Sequence, residues 1–287
     1  MIPAFQKDEA LLKDIESHEN EEGFRLWWLG QSGFLLQWEN HHLLFDPYLS
    51  DSLTQKYANT DKPHVRMTEL VINPKKLDFI DVVTSSHNHT DHLDADTLNH
   101  ISNHFGTTDS YFVIPAANRA FVLNRLRWGE DIAVNEFTDG ESDTVGPFAF
   151  HGIASAHNEL ETDEHGRHKF LGYVVRFGDF CVYHSGDTLL YDGLIERLKP
   201  FSIDVAMLPI NGNKPERRVA GNMNGEEAAF CAHEIGAKWV IPHHFEGFEF
   251  NTASPDEFVA ACQRLGQHYR VLRAGERFDF PPKENAP

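Results

Sequence analysis

Four imidazole or carboxylate side chains fall within six residues in the run His87-Asn88-His89-Thr90-Asp91-His92. In an extended or tightly turned segment His87 and His89 point the same way, and after a turn at Thr90 the side chains of Asp91 and His92 converge on the neighbouring space. Nitrogen and oxygen donors without a thiolate suit zinc, manganese or iron. A lone histidine in a polar loop needs no such reading; this cluster, directly after an apolar strand, does. One segment cannot close two metal sites, so further ligands must come from elsewhere. Three later strand ends offer them: His157 after Ala154-Ser155-Ala156, Asp187 in His184-Ser185-Gly186-Asp187, and the pair His243-His244 after Ile241-Pro242. A strand end is a rigid mount for a ligand. Asp46 and Asp81, at or near strand ends, are candidates to orient a ligand imidazole, or equally to cap a turn. His184 and His151 read as structural.

The elements that must carry these groups are legible in the patterning. Phe5, Leu11, Leu12 and Ile15 share a face of a short amphipathic helix near the N-terminus. A meander follows, with strands at Gly23 to Gly30, Gly33 to Trp38 and Leu43 to Phe45, a turn at Glu39-Asn40, and Asp46 at its end. Residues 50–73 lack periodicity and read as a long loop, a length that in compact domains usually serves function. From Leu77 the pattern alternates. A strand over Ile80 to Thr84 delivers the histidine cluster, Asp94 caps a helix through Phe105 closed by Gly106, and a strand follows at Tyr111 to Ile114. Pro115 opens the helix of Phe121, Leu123 and Leu126, and two more strands lie around Ile132 to Val134 and Phe148 to Phe150. The second half echoes the first: Tyr173 to Phe177, a turn at Gly178-Asp179, then Phe180 to Tyr183 running into Asp187, with Ile203-Asp204-Val205 echoing Ile80-Asp81-Val82. The absence of a linker between the halves favours two packed, related units. Capping boxes at Asn224-Gly225-Glu226-Glu227 and Ser254-Pro255-Asp256-Glu257 open two late helices, ending near Gly236 and Leu265. Between them a strand over Lys238 to Pro242 presents His243-His244.

Composition narrows the function classes. The chain has 287 residues, 41% of them hydrophobic, enough for a substantial core and against disorder. Its 25 Lys+Arg against 44 Asp+Glu leave a net charge of −19, which disfavours nucleic acid and anionic membranes as partners. No apolar run reaches the roughly 18 residues of a membrane span. The first twenty residues lack the apolar core of a signal peptide, and Cys181, Cys231 and Cys262 are too scattered for a disulfide framework, so a reducing cytoplasm is expected. The 18 histidines are the outlying number. The expected partner is a small-molecule substrate, with self-association left open.

The order HxHxDH, single His, Gly-Asp and final His resembles the metallo-β-lactamase superfamily of metal-dependent hydrolases, from Trp28-Leu29-Gly30 to His244. The segments Trp27-Trp28-Leu29-Gly30-Gln31-Ser32-Gly33, Tyr183-His184-Ser185-Gly186-Asp187, Ile203-Asp204-Val205-Ala206 and Ile241-Pro242-His243-His244 resemble one branch, the L-ascorbate-6-phosphate lactonase-like hydrolases related to N-acylphosphatidylethanolamine phospholipase D. The resemblance implies an α/β fold, a four-layer αββα sandwich of two similar halves over residues 23–280, with a helical extension over 1–22 and a tail over 281–287. It implies two divalent ions (zinc or manganese, with iron also compatible). His87, His89 and His157 would hold one ion, Asp91, His92 and the final histidine the other, and Asp187 would bridge both. The branch places the last ligand two residues after the proline, which selects His244 over His243, since neighbouring strand residues face opposite sides. Histidine rather than glutamate at position 89 argues against the flavodiiron oxidoreductases. Aspartate rather than cysteine at 187 argues against the β-lactamases themselves, and a long basic insertion typical of tRNA-processing nucleases is absent.

The implied chemistry is hydrolysis by a metal-bridging hydroxide, with Asp91 accepting a proton, on a lactone or other ester of a small metabolite, phosphorylated or not. A phosphodiesterase and a non-catalytic metal-binding protein are the alternatives. An anionic substrate would need a local basic patch. Lys56, Lys62, His64 and Arg66 in one loop and Lys214, Arg217 and Arg218 in another supply candidates. Arg66 and Arg218 are the expected substrate-binding residues, because a guanidinium grips phosphate bidentately.

Overall fold

In β1 (Phe24–Gly30) successive side chains enter two different apolar environments. Phe24, Leu26 and Trp28 join one core, Trp27 and Leu29 another, as a period of two requires when a sheet is covered on both faces. The computed structural model describes residues 1–18, 21–101, 110–129 and 132–282. The other strands are β2 (Gly33–Trp38), β3 (His41–Phe45), β4 (Val82–Thr84), β5 (Tyr111–Pro115), β6 (Asn135–Phe137), β7 (Ser142–Val145), β8 (Phe148–Ala154), β9 (Leu171–Phe177), β10 (Phe180–His184), β11 (Val205–Pro209), β12 (Trp239–His243) and β13 (Arg277–Phe280). One sheet has the order β13-β1-β2-β3-β4-β5-β6 and the other β12-β11-β10-β9-β8-β7.

Both sheets follow one plan. Antiparallel strands lead to β3 in the first and β10 in the second, and from there the pairing turns parallel. Between the sheets the aromatic side chains interlock, Phe24 meeting Phe177 edge to face at 5.2 Å. Helices α1 (Asp8–Glu16), α3 (Ala95–Ile101) and α4 (Arg119–Leu126) seal the outer face of the first sheet with Leu11, Ile15, Leu98, Val122 and Leu126. On the second sheet, α6 (Gly225–Glu234) and α7 (Asp256–Leu265) contribute Ala228, Ala232, Phe258 and Ala261. Helices α2 (Ser52–Tyr57) and α5 (Leu194–Leu198) are short. The result is the expected αββα layering, with α1 docked on the first sheet through Trp27 Nε1, which donates to Asp14 Oδ2 at 2.8 Å, and Gln37 Nε2, which donates to the Ile15 carbonyl at 3.1 Å.

Three local expectations need correction. Residues 50–73 are not wholly irregular, because α2 lies within them. The strand expected at Ile132 to Val134 forms instead at β6, where Val113 to Pro115 of β5 supply its hydrogen-bonding partner. The capping box of Asn224 and Glu227 is present, but the second is not: Ser254 bonds Asp256, and the Glu257 carboxylate accepts from Gly225 N at 3.0 Å, tying α7 to the start of α6. Asp94 does cap α3 through Thr97, whereas Phe105 and Gly106 lie outside the described residues.

Candidate metal centre

The carboxyl ends of strands from both sheets meet along one edge of the sandwich. The β3 end supplies Asp46, the β4 end the 87–92 run, β8 leads to His157, β10 to Asp187 and β12 to His244. A crevice at the carboxyl ends of strands is where open α/β sheets hold ligands. The expected ligands come together there in three sets. His87, His89 and His157 form one, Asp91, His92 and His244 another, and His87, His92 and Asp187 lie between; within each set the ligating atoms are within 4.8 Å of one another. Asp187 faces both groups, its Oδ2 at 3.5 Å from His157 Nε2 and 3.3 Å from His244 Nε2, its Oδ1 at 3.3 Å from His92 Nε2.

The histidine rings are oriented from behind. His157 Nδ1 donates to the Gly221 carbonyl at 2.9 Å, leaving the Nε2 lone pair for the centre. His92 Nδ1 lies 2.7 Å from Asp46 Oδ2. Asp46 is fully buried and is itself held by Thr84 Oγ1 at 2.9 Å, the Ser86 amide at 3.0 Å and the Ser86 hydroxyl. Of the two aspartates expected to orient an imidazole, Asp46 does so. Asp81 accepts instead from the His42 amide at 2.6 Å, at the far end of β4.

His244 and His243 separate sharply. His244 adopts φ 59°, so the chain turns out of β12 and carries its imidazole into the cluster, while its amide donates to the Gln31 carbonyl at 2.9 Å. His243 points into the core, stacked on His184 at 5.1 Å and edge-on to Phe34. His184 Nε2 donates to the Ser32 carbonyl at 2.8 Å, a structural bond that links the β1–β2 turn to the strand leading to Asp187. His151 lies on β8 against Ser142 and Phe201, away from the centre.

The donor set fits divalent cations. His87 Nε2, His92 Nε2 and Asp187 Oδ1 are buried without a hydrogen-bond partner among the described residues, although each faces the cluster. Buried polar atoms left in that state are costly unless something occupies the space between them. The electrostatics divide the centre. Burial pushes the pKa of His87 well below its ordinary value and that of His89 down to about 4, and lowers His157 as well, keeping these three neutral at pH 7. Burial opposes charge at His92 and His244 too, but Asp187 and Asp91 outweigh it. His92 is raised well above its ordinary value and His244 to about 9. The same contacts hold both carboxyls far below the usual range despite their burial.

A cleft of about 470 Å³ opens over the centre. The two arginines expected to bind substrate do not line it. Arg66 donates to Asp51 Oδ1 at 2.7 Å and lies over the Tyr48 and Phe248 rings, bracing its loop against residue 248. Arg218 pairs with Asp61 in solvent. The lining basic groups are Lys56, Lys62, His64 and Arg125. Gln31 is the residue that sequence reasoning passed over. Its amide donates to Asp91 Oδ2 at 2.9 Å and lies 3.1 Å from His244 Nε2. The positive φ of 51° at Gln31, set by the tight β1–β2 turn between Gly30 and Gly33, brings it there. A polar residue in a Gly-rich turn between buried strands was the available signal.

The sequence profile described as a beta-lactamase superfamily domain matches residues 25–244. A UPF0173 metal-dependent hydrolase of Caldivirga maquilingensis is 28% identical over 272 residues, covering 90% of this chain and 99% of its own. One from Opitutus terrae is 27% identical over 271 residues, with 89% and 99% covered. Among solved structures, a possible metal-dependent hydrolase from Veillonella parvula is similar with a TM-score of 0.71 at 16% identity, covering 90% of this chain and 100% of that one. Igni18, a metallo hydrolase from Ignicoccus hospitalis, gives 0.63 at 21%, covering 90% and 99%. At these identities the structural likeness speaks to the fold.

Proposed function

The chain belongs to the beta-lactamase superfamily, and from that premise we propose that it is a hydrolase dependent on two divalent metal ions, zinc, manganese or iron, acting on a lactone or other ester of a small metabolite. The observation that carries this reading is the gathering of seven His and Asp side chains into three adjoining sets, with Asp187 within 3.5 Å of His157, His92 and His244 and with buried unpartnered atoms facing the cluster. The UPF0173 relatives named as metal-dependent hydrolases, aligned over nearly their full length, support it.

His87, His89 and His157 would hold one ion, Asp91, His92 and His244 the other, and Asp187 would join both. When bound, such ions lower the pKa of water toward about 7 and stabilise developing negative charge. The residues of the chain prepare that chemistry. Asp46 and the Gly221 carbonyl fix the ring orientations of His92 and His157, so their Nε2 atoms need no reorganisation. Gln31 Nε2 holds Asp91 Oδ2 in place. Asp91, ionised at pH 7 and on the cleft side of the cluster, is the group positioned to take up a proton during attack.

The test is metal analysis coupled to turnover. Reconstituted protein should carry up to two ions per chain and hydrolyse members of an ester and lactone panel, and chelation should abolish both. Bis-p-nitrophenyl phosphate run beside the lactones separates carbon from phosphorus as the attacked atom. A fully metal-loaded protein inert across the whole panel would overturn the hydrolase reading and leave a metal-binding protein.

A further inference from the structure

The cleft over the centre has a charge balance opposite to that of the chain. Lys56, Lys62 and Arg125 line it, and among the described residues its carboxylates are the ligands Asp91 and Asp187. The sequence has 44 acidic residues against 25 Lys+Arg, and arginines elsewhere are neutralised, as Arg66 is by Asp51, Arg197 by Asp139 and Arg277 by Asp14. The three cleft cations meet neutral acceptors instead. Lys56 Nζ donates to Thr90 Oγ1 at 3.2 Å, Lys62 Nζ to the Arg218 carbonyl at 2.5 Å, and Arg125 to the Asn88 and Leu93 carbonyls at 2.7 and 3.4 Å. Two of them are thereby fastened to the loop that carries His87 to His92. The positive groups stand beside the candidate ligands, and among the described residues none of the three forms an ion pair within 4.0 Å of a carboxylate, although Asp61 is near enough to Lys62, and Asp91 and Asp94 to Arg125, to interact at longer range. Much of the remaining wall is apolar, with the rings of Tyr57, Phe121, Phe248 and Phe250. The volume of about 470 Å³ falls in the small-molecule range of roughly 300–1,000 Å³.

We propose that this cleft selects a small amphipathic anion: an ester or lactone bearing one aromatic or alkyl group and one carboxylate or phosphate. The anionic group sits at Lys56 and Lys62, and the apolar group lies against the ring wall. Arg125 is bonded to two carbonyls of the ligand loop, so it also braces that loop and is a poor residue to remove. Lys56 is exposed and Lys62 half-buried at the mouth, so both can be changed without opening the core. For the reaction this rests on the hydrolase reading above; for binding it stands alone.

The experiment measures binding rather than turnover. Dissociation constants of metal-loaded protein are determined by calorimetry for phenylphosphate, 3-phenylpropanoate and the neutral 3-phenylpropanol. Wild type is compared with the Lys56→Met/Lys62→Met double variant and with Lys62→Arg. Attachment of the anions to the metal ions is common to all forms and cancels in the comparison. The double variant should weaken both anions by about 10-fold and the alcohol by less than about twofold, and Lys62→Arg should stay near wild type. The anion that loses more identifies phosphate or carboxylate as the preferred group. Unchanged anion binding, or equal losses for anions and alcohol, would overturn the inference. Loss of the hydrolase reading alone would show as absent turnover with this binding pattern intact.

Discussion

Asp46 lies behind the proposed ligand set yet controls one of its members, since its Oδ2 is the group that meets His92 Nδ1. Asp46→Asn should weaken the affinity for one of the two ions by about 10- to 100-fold with the fold retained, read by competition against a calibrated chelator. The two neighbouring histidines should fail in different ways. His244→Ala should cost metal affinity, whereas His243→Ala should lower the melting temperature, because it removes a buried ring stacked between β10 and β12. The reverse pattern would contradict the orientation of the β12 end. Protonation adds a third expectation. In the metal-free protein His244 titrates near 9, above its ordinary 6.5. Its pairing with Asp187 and Asp91 therefore stabilises that form fully below about 6.5 and is lost as pH rises through about 9. An ion entering at His92 and His244 must displace those protons, so its affinity should climb between pH 7 and 9, and calorimetry in buffers of different ionisation enthalpy should register proton release. Uptake that is independent of pH over this range would contradict the assignment. At this scale the sequence was informative where ligand types recur at fixed spacing. It was silent on Gln31 and Arg125, whose side chains reach the centre only through a backbone turn and a helix docked from elsewhere.

The elements were legible in proportion to how long and continuous their apolar runs are. Strands β1 to β3 and β9 to β10, with both faces buried, stood out, as did the turns at Glu39-Asn40 and Gly178-Asp179. The edge strand β6 did not, because three residues paired to one neighbour carry almost no pattern. Two similar segments, 224–227 and 254–257, behaved differently: Asn224 accepts from the Glu227 amide at 2.9 Å and Glu227 returns the bond, while Glu257 is drawn across to Gly225. Local signals yield when a tertiary partner offers a better donor. Asn224→Ala should therefore cost about 1 kcal/mol of stability, measured by denaturant unfolding. Ser254→Ala should cost less, since its hydroxyl donates to the Asp256 carboxylate and accepts only a long 3.3 Å bond from the Asp256 amide, with no reciprocal bond from Glu257. Equal costs would mean that both segments cap alike.

At the scale of the molecule the fold and the chemistry are one arrangement. Each sheet changes from antiparallel to parallel pairing at a strand running into an aspartate, Asp46 after β3 and Asp187 beyond β10. Packing the two sheets face to face brings those ends, and the histidines on their neighbours, to one edge. The family resemblance carried by the ordered ligand motif anticipated this layering, with which the echo between the halves agrees. They could not locate the cleft wall, which is assembled from α2, α4 and the loops near 62, 220 and 250. Nor could net charge reveal it, since −19 describes the whole surface and screening confines each local patch to about 8–10 Å. Of the basic residues expected beside the centre, Lys56, Lys62 and His64 line the cleft, Arg66 and Arg218 do not, and Arg125 joins them unforeseen. The central claim is the pair of ions held by seven named side chains. Anomalous diffraction from crystals of protein reconstituted with zinc or manganese tests it most directly. The account predicts two peaks about 3.5–4 Å apart, one within bonding distance of His87, His89 and His157, the other of Asp91, His92 and His244, with Asp187 reaching both. A single peak at full loading, peaks outside this cluster, or a second ion bound through His243 would contradict it.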